Sequence, residues 1–288
     1  MTIRRPLNRA RLLASGIAVA AVAALGVAAP AVASSTGQTS DISPASAAAK
    51  PTIVLVHGAW ADDSSFAPVT RRLQSDGYTV MSAPNPLRGL DDDAAAVAAF
   101  VDQATTGPVV LVGHSYGGSV ITNAATRIPR VQALVYVDAF APDEGESVLE
   151  LTGAEPGSAL AVPDPSTVFN FVQYPGAPEG DVDTYIKPEL FKSIFAAKLP
   201  TAQTKVLAAN QLPVTLSALK ARSNAPAWKQ IRSFFFIGTS DKVLPAAEQE
   251  AMAKRAHGII VKRNADHLSM LEVPGAVTAL VEQAARTS

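Results

Sequence analysis

A chain of 288 residues, 48% of them hydrophobic, can bury a substantial core as one domain with an insertion or as two small domains. The formal net charge is −1, and no basic run occurs outside the first dozen residues, which argues against a nucleic-acid partner. The chain has no cysteine, which excludes disulfides and thiolate metal sites.

The N-terminus has its own logic. Arg4, Arg5, Arg9 and Arg11 precede an apolar, alanine-rich stretch from Leu12 to Ala29, and Ala31-Val32-Ala33 follows as a small-residue cleavage pattern. That order predicts a secretory signal peptide over residues 1–33, cut after Ala33, and a secreted protein without stable membrane insertion. An uncleaved anchor is the competing reading, because the apolar stretch approaches spanning length. Residues 34–50, rich in Ser, Thr and Ala, read as a disordered leader.

From residue 51 strands and helices alternate. A strand at 52–57 precedes an amphipathic helix at 65–76, with Phe66, Val69 and Leu73 on one face. A strand at 78–82 leads to an alanine-rich helix at 91–105, a strand at 109–112 to a helix at 117–127, and a further strand spans 131–137. Unbroken β-branched runs suit a mainly parallel sheet covered on both faces, with helices placed by right-handed crossovers. The alternation stops at Pro142. Residues 143–226 are proline-rich and carry Phe169, Phe171, Tyr174, Tyr185, Phe191 and Phe195, with short helices expected near 187–197 and 201–210. So many aromatics favour a cap insertion over a solvated loop. Sheet periodicity resumes at 232, which assigns 51–142 and 227–288 to the core and 143–226 to the cap.

Three loops at strand ends carry candidate chemistry. Val109 to Val112 runs into Gly113-His114-Ser115-Tyr116-Gly117, a strand–turn–helix nucleophile elbow in which the flanking glycines permit a tight turn and expose the serine hydroxyl. Upstream, Thr52-Ile-Val-Leu-Val-His57-Gly58-Ala59-Trp60 ends a strand where acyl-transfer enzymes place an oxyanion donor. The backbone N–H groups of Ala59 (or Trp60) and Tyr116 are the candidates. Downstream, Phe234 to Ile237 leads to Gly238-Thr239-Ser240-Asp241, and a last strand ends at Ala265-Asp266-His267. Ligand sites in open α/β sheets lie at these carboxyl ends. Trp60 and His114 are expected beside the substrate pocket, with His114 packed under the elbow. His57 is expected to support its own loop, His257 to end a helix, and Asp266 to be a supporting or solvent-facing group. Asp138, after strand 131–137, is the rival to Asp241 as the acid.

On these stretches, together with Gly118 and Leu268-Ser269-Met270-Leu271, the chain from about 51 to 286 resembles the α/β-hydrolase superfamily. Within it the chain is similar to plant methylesterases, hydroxynitrile lyases and related bacterial esterases. The order Ser115, Asp241, His267 is that superfamily's, unlike the orders of chymotrypsin-type and subtilisin-type proteases. The resemblance implies a sheet of about six strands flanked by helices, and a Ser115–His267–Asp241 triad that needs no metal or cofactor. The similar lyases carry lysine where this chain has Leu268, which favours hydrolysis. Serine rather than aspartate at 115 sets the chain apart from dehalogenases and epoxide hydrolases of this fold. The expected function is hydrolysis of small or medium carboxylic esters through an acyl-serine. Perhydrolase or haloperoxidase activity, or a small-molecule receptor of the same fold, are the alternatives.

Overall fold

The computed structural model describes residues 50–287. The expected signal peptide and all but the last residue of the expected leader lie outside the described residues. No helix among the described residues is long and apolar enough to cross a membrane.

Six parallel strands form the central sheet. They are β1 (Thr52–Val56), β2 (Val80–Ser82), β3 (Val109–His114), β4 (Val131–Val137) and, after a long excursion, two strands at Ser233–Gly238 and Ile259–Arg263. Three short strands lie within the excursion, β5 (Phe169–Val172), β6 (Asp183–Ile186) and β7 (Val214–Thr215), so the last two sheet strands are β8 and β9. The sheet order is β2-β1-β3-β4-β8-β9, with every neighbouring pair parallel. Burial explains the order. Every residue of β3 and β8 is buried, as are all of β4 except Gln132, so these runs must be covered on both faces. β9 ends in exposed Lys262 and Arg263, charges that suit an edge.

Helices α1 (Ala67–Ser75) and α2 (Leu90–Ala104) follow β1 and β2, and α3 (Tyr116–Ala124) follows β3. The excursion contributes α4 (Val148–Thr152), α5 (Pro188–Phe195), α6 (Thr201–Ala209) and α7 (Leu216–Lys220). The chain closes with α8 (Ala246–Arg255), α9 (Ser269–Glu272) and α10 (Pro274–Thr287). α1 packs with α10, and α2 with α3. Because the order reverses between β1 and β3, the loops after these two strands diverge and leave a crevice at their carboxyl ends.

Residues 143–226 are built differently. β5, β6 and β7 form a separate antiparallel sheet, with Phe169 opposite Ile186 and Asp183 opposite Thr215. α4 starts with a reciprocal cap between Ser147 and Glu150. Polar contacts fasten the segment to the six-stranded unit. Asn123 of α3 accepts from the Asn224 and Ala225 N–H groups at 3.0 and 3.3 Å, and Arg255 of α8 pairs with Glu146 at 2.6 Å. Arg88 pairs with Asp183.

Candidate active site

The turn between β3 and α3 holds Ser115 at φ 52° and ψ −123°, a left-handed conformation that side-chain-bearing residues avoid. The neighbouring glycines are required by space. A Cβ on Gly113 would stand 2.5 Å from the Gly117 carbonyl oxygen, and one on Gly117 would stand 2.4 Å from the Val56 carbonyl oxygen. The Ser115 carbonyl accepts from Gly118 N–H at 2.9 Å and Phe140 N–H at 3.2 Å, which fixes the turn against the loop after β4.

The loop after β1 presses on this turn, since a Cβ on Gly58 would lie 2.6 Å from Ser115 Cβ. Trp60 N–H donates to the Leu212 carbonyl at 3.0 Å. The N–H groups of Ala59 and Tyr116 have no such acceptor among the described residues. Of the two upstream candidates, Ala59 therefore has the available donor. The Tyr116 side chain points elsewhere, its hydroxyl donating to the buried Asp93 at 2.7 Å.

His267 and Asp241 meet. Nδ1 of His267 stands 2.7 Å from Oδ2 of Asp241, and both side chains are fully buried. A carboxylate only accepts, so Nδ1 carries the proton and Nε2 has its lone pair free. Nε2 is buried and has no hydrogen-bond partner among the described residues. Burial pulls the imidazole down from 6.5 to about 3, which keeps it neutral. Asp241 is braced by Val243 N–H at 2.7 Å, Leu244 N–H at 3.0 Å and Gln249 Nε2 at 2.9 Å. Burial pushes its carboxyl upward, against these donors.

Asp138, the rival acid, makes no hydrogen bond to His267 among the described residues. Its Oδ1 accepts from Gly238 N–H at 2.7 Å and its Oδ2 from Ser269 N–H at 3.2 Å. It ties the loop bearing Asp241 to the loop bearing His267. Burial, reinforced by the nearby Asp241 charge, raises its proton affinity well above that of an ordinary aspartate.

Ser115, Ala59, Trp60 and Tyr116 line one cavity of about 290 Å³. Phe140 and Val243 also line it, and the remaining wall comes from the 143–226 segment, including Val148, Phe169, Leu216 and Leu219. His114, expected beside the pocket, is not among the lining residues. Its ring is buried beneath the turn, 4.8 Å from that of His267, with Nε2 2.9 Å from the His267 carbonyl. Asp266 is buried rather than solvent-facing, and accepts from Lys198 N–H at 2.9 Å. His57 keeps to its own loop, with Nδ1 2.9 Å from the Gly58 carbonyl oxygen. His257 follows the end of α8 at φ 49°. Leu268 is buried in the core. No cluster of three or more metal-ligating side chains occurs among the described residues.

The model of the alpha/beta hydrolase family matches residues 53–280. The chain belongs to this family. It is 28% identical over 257 residues to the alpha/beta hydrolase nvfD of Aspergillus novofumigatus, covering 82% of this chain and 97% of that protein. It is 36% identical over 110 residues to a carbendazim hydrolyzing esterase of Nocardioides, a match to 34% of this chain that spans about half that esterase's length, 46%. Among solved structures, an extracellular alpha/beta-hydrolase from a Paenibacillus species superposes with a TM-score of 0.64 at 21% identity, over 81% of this chain and 98% of the other. The fold is that of an alpha/beta hydrolase with a six-stranded parallel sheet.

Two contributors to this region escaped sequence reasoning. Gln249 looks like any polar residue of an amphipathic helix, and only its place one turn into α8, eight residues after Asp241, hints at its contact with the acid. Asp93 sits in an acidic first turn that reads as helix capping, and its bond to Tyr116 is not encoded locally.

The crowding at the turn generates a stability prediction. Gly117→Ala drives a methyl group into the backbone of buried β1, which cannot yield as a flexible side chain would. A loss of at least about 1–3 kcal/mol is expected from overpacking. Urea unfolding of the variant beside the parent measures it, and an unchanged midpoint would contradict the packing described.

Proposed function

We propose that the protein hydrolyses small or medium carboxylic esters through an acyl-serine intermediate. The reading rests on Ser115, Ala59 and Tyr116 lining one apolar cavity, with the Ala59 and Tyr116 N–H groups available as donors, and on the buried His267–Asp241 pair with its free Nε2. Membership in the hydrolase family and a partial match to a protein named as an esterase support it.

In this mechanism Ser115 Oγ attacks the ester carbonyl carbon while His267 Nε2 takes its proton. The carbonyl oxygen becomes an oxyanion and accepts from Ala59 N–H and Tyr116 N–H, each such donor worth about 3 kcal/mol in the transition state. Asp241 holds the proton on Nδ1 and stabilises the imidazolium. When the tetrahedral species collapses, the C–O bond to the alcohol breaks and Nε2–H protonates the leaving oxygen. A water molecule, deprotonated by Nε2, attacks the acyl-serine, and the released Ser115 oxygen regains its proton. The aromatic-bearing segment 143–226 acts as the cap that keeps bulk water from the cavity.

Ser115→Ala should abolish turnover of a short 4-nitrophenyl ester, a drop on the order of 10⁶, with the fold intact by circular dichroism. Near-parental turnover in the purified variant would remove Ser115 from the mechanism. In the same assay Asp241→Asn should cost about 10⁴, because the imidazole loses its orienting carboxylate. Asp138→Asn should cost far less in rate and show its effect chiefly in stability. The reverse ranking would transfer the acid's role to Asp138.

Cavity size sets the preferred chain length. Each buried methylene contributes about 0.8 kcal/mol until the space is full, after which overpacking opposes binding. Across a 4-nitrophenyl ester series, kcat/KM is expected to peak at short or medium acyl length and then fall. A rate still climbing at long chains, with activation at a lipid interface, would identify a lipase instead.

Export is proposed from the charged, apolar and small-residue order of residues 1–33, and the extracellular structural neighbour supports it. Mass spectrometry of protein from the culture medium should find a first residue near Ser34. An intact N-terminus retained in membranes would favour an anchor.

A further inference from the structure

The cavity's polar inventory is short. Six of its lining residues have a nitrogen or oxygen atom in the side chain: Trp60, Ser115, Tyr116, Thr152, Thr184 and Lys220. Four are committed within the protein. Trp60 Nε1 donates to the Thr184 carbonyl at 2.9 Å, the Tyr116 hydroxyl to Asp93 at 2.7 Å, the Thr152 hydroxyl to the Val148 carbonyl at 2.8 Å, and the Thr184 hydroxyl to the Val214 carbonyl at 2.9 Å. Ser115 and Lys220 remain. Lys220 is the one charged side chain among the described lining residues, and it has neither a hydrogen bond nor an ion pair from its ammonium group among the described residues. An acid on the adjoining helix α4, Glu150, is engaged by Arg222 at 2.7 Å instead.

The two free groups sit at different depths. Ser115 lines the cavity and is only 1% exposed. Lys220 is exposed at the end of α7, and Leu149 of α4, a lining residue 46% exposed, marks the same mouth. Between them the wall is apolar, with Leu216 and Leu219 on the turn of α7 that leads to Lys220. A substrate satisfying both ends has an ester carbonyl, an apolar body and an anion at the far end. An ammonium beside an apolar wall keeps more of its field than one facing open water.

We infer that the site selects esters bearing a fixed negative charge, a carboxylate or another oxyanion, remote from the scissile carbonyl, with Lys220 as the specificity-determining residue. The inference rests on the hydrolase reading above and deepens it. It concerns selectivity alone, because Lys220 touches none of the proposed reacting groups.

The test compares kcat/KM for two matched pairs. One is 4-nitrophenyl octanoate against mono-4-nitrophenyl suberate, which puts the charge on the acyl end. The other is phenyl butyrate against 4-carboxyphenyl butyrate, which puts it on the leaving group. Parent, Lys220→Met and Lys220→Glu are assayed in each, with spontaneous hydrolysis subtracted, so differences in leaving-group chemistry cancel between variants. In at least one pair the anionic-to-neutral ratio should fall about threefold to fivefold in Lys220→Met, the range of an exposed charge pair. It should fall further in Lys220→Glu, and the parent's ratio should shrink as salt is raised. An unchanged ratio in both pairs would overturn the proposal, leaving Lys220 as a cation at a helix C-terminus whose loss moves only the melting temperature. Failure of the parent to turn over any of the four esters would overturn the hydrolase reading itself, and this inference with it.

Discussion

The reversal at Ser115 is the constraint around which the molecule is arranged. A non-glycine residue at φ 52° carries a backbone penalty of about 1–3 kcal/mol, and such strain persists only where the surroundings over-determine it. Here they do. β3 is buried along its whole length and enters the turn with no freedom to shift. The Ser115 carbonyl is held by two N–H donors, and the glycines on either side sit against backbone that leaves no room for a methyl group. This contact also brings the end of β1 against the turn, with Gly58 packed against Ser115 and Ala59 following it. Ser115 and the loop after β1 are thus one packing problem, solved by the sheet order that puts β1 next to β3.

Buried charge is the second organising feature. Asp138, Asp241 and Asp266 are all buried within the loops after β4, β8 and β9. Burying a carboxylate is costly unless donors surround it. Each is met by backbone N–H groups of a loop it must hold: Asp138 by Gly238 and Ser269, Asp241 by Val243 and Leu244, Asp266 by Lys198. Asp138 does most to set geometry, since its two oxygens join the two loops whose side chains form the Asp241–His267 bond. Its own φ of 46° makes it, with Ser115 and Trp60 (φ 56°), one of three strained points around the site.

Local signals explain what was legible in the sequence. Apolar, β-branched-rich runs located every strand of the six-stranded sheet, three of them running into Gly58, Gly113 and Gly238, and the strand ends located the loops that carry Ser115, Asp241 and His267. Where two residues of one type compete, as Asp138 and Asp241 do, local sequence has no preference to offer. The distinction depends on which carboxylate the fold carries to Nδ1. The same holds for His114, whose elbow position fixes its backbone while packing against Phe66 and His267 fixes its ring. The antiparallel sheet of β5, β6 and β7 was hidden for a related reason. Its strands have two to four residues, and β7 follows β6 only after two intervening helices. Windows that short carry no periodicity.

Chemistry and shape come from different parts of the chain, and Trp60 joins them. Its neighbour Ala59 carries the available donor, while Trp60 itself reaches into residues 143–226 by three routes. Its N–H donates to Leu212, its indole donates to Thr184, and its ring packs 5.4 Å from Phe169 and 5.9 Å from Phe195. Phe195 in turn stands edge-on to His267 at 5.0 Å. The segment that shapes the cavity is therefore also a support for the donor loop and for the imidazole. A substitution that moves β6 to enlarge the cavity also moves the anchor of Trp60, and with it the Ala59 N–H. Residues such as Lys220 and Leu149, at the mouth and outside this chain of contacts, can change what enters without disturbing what reacts.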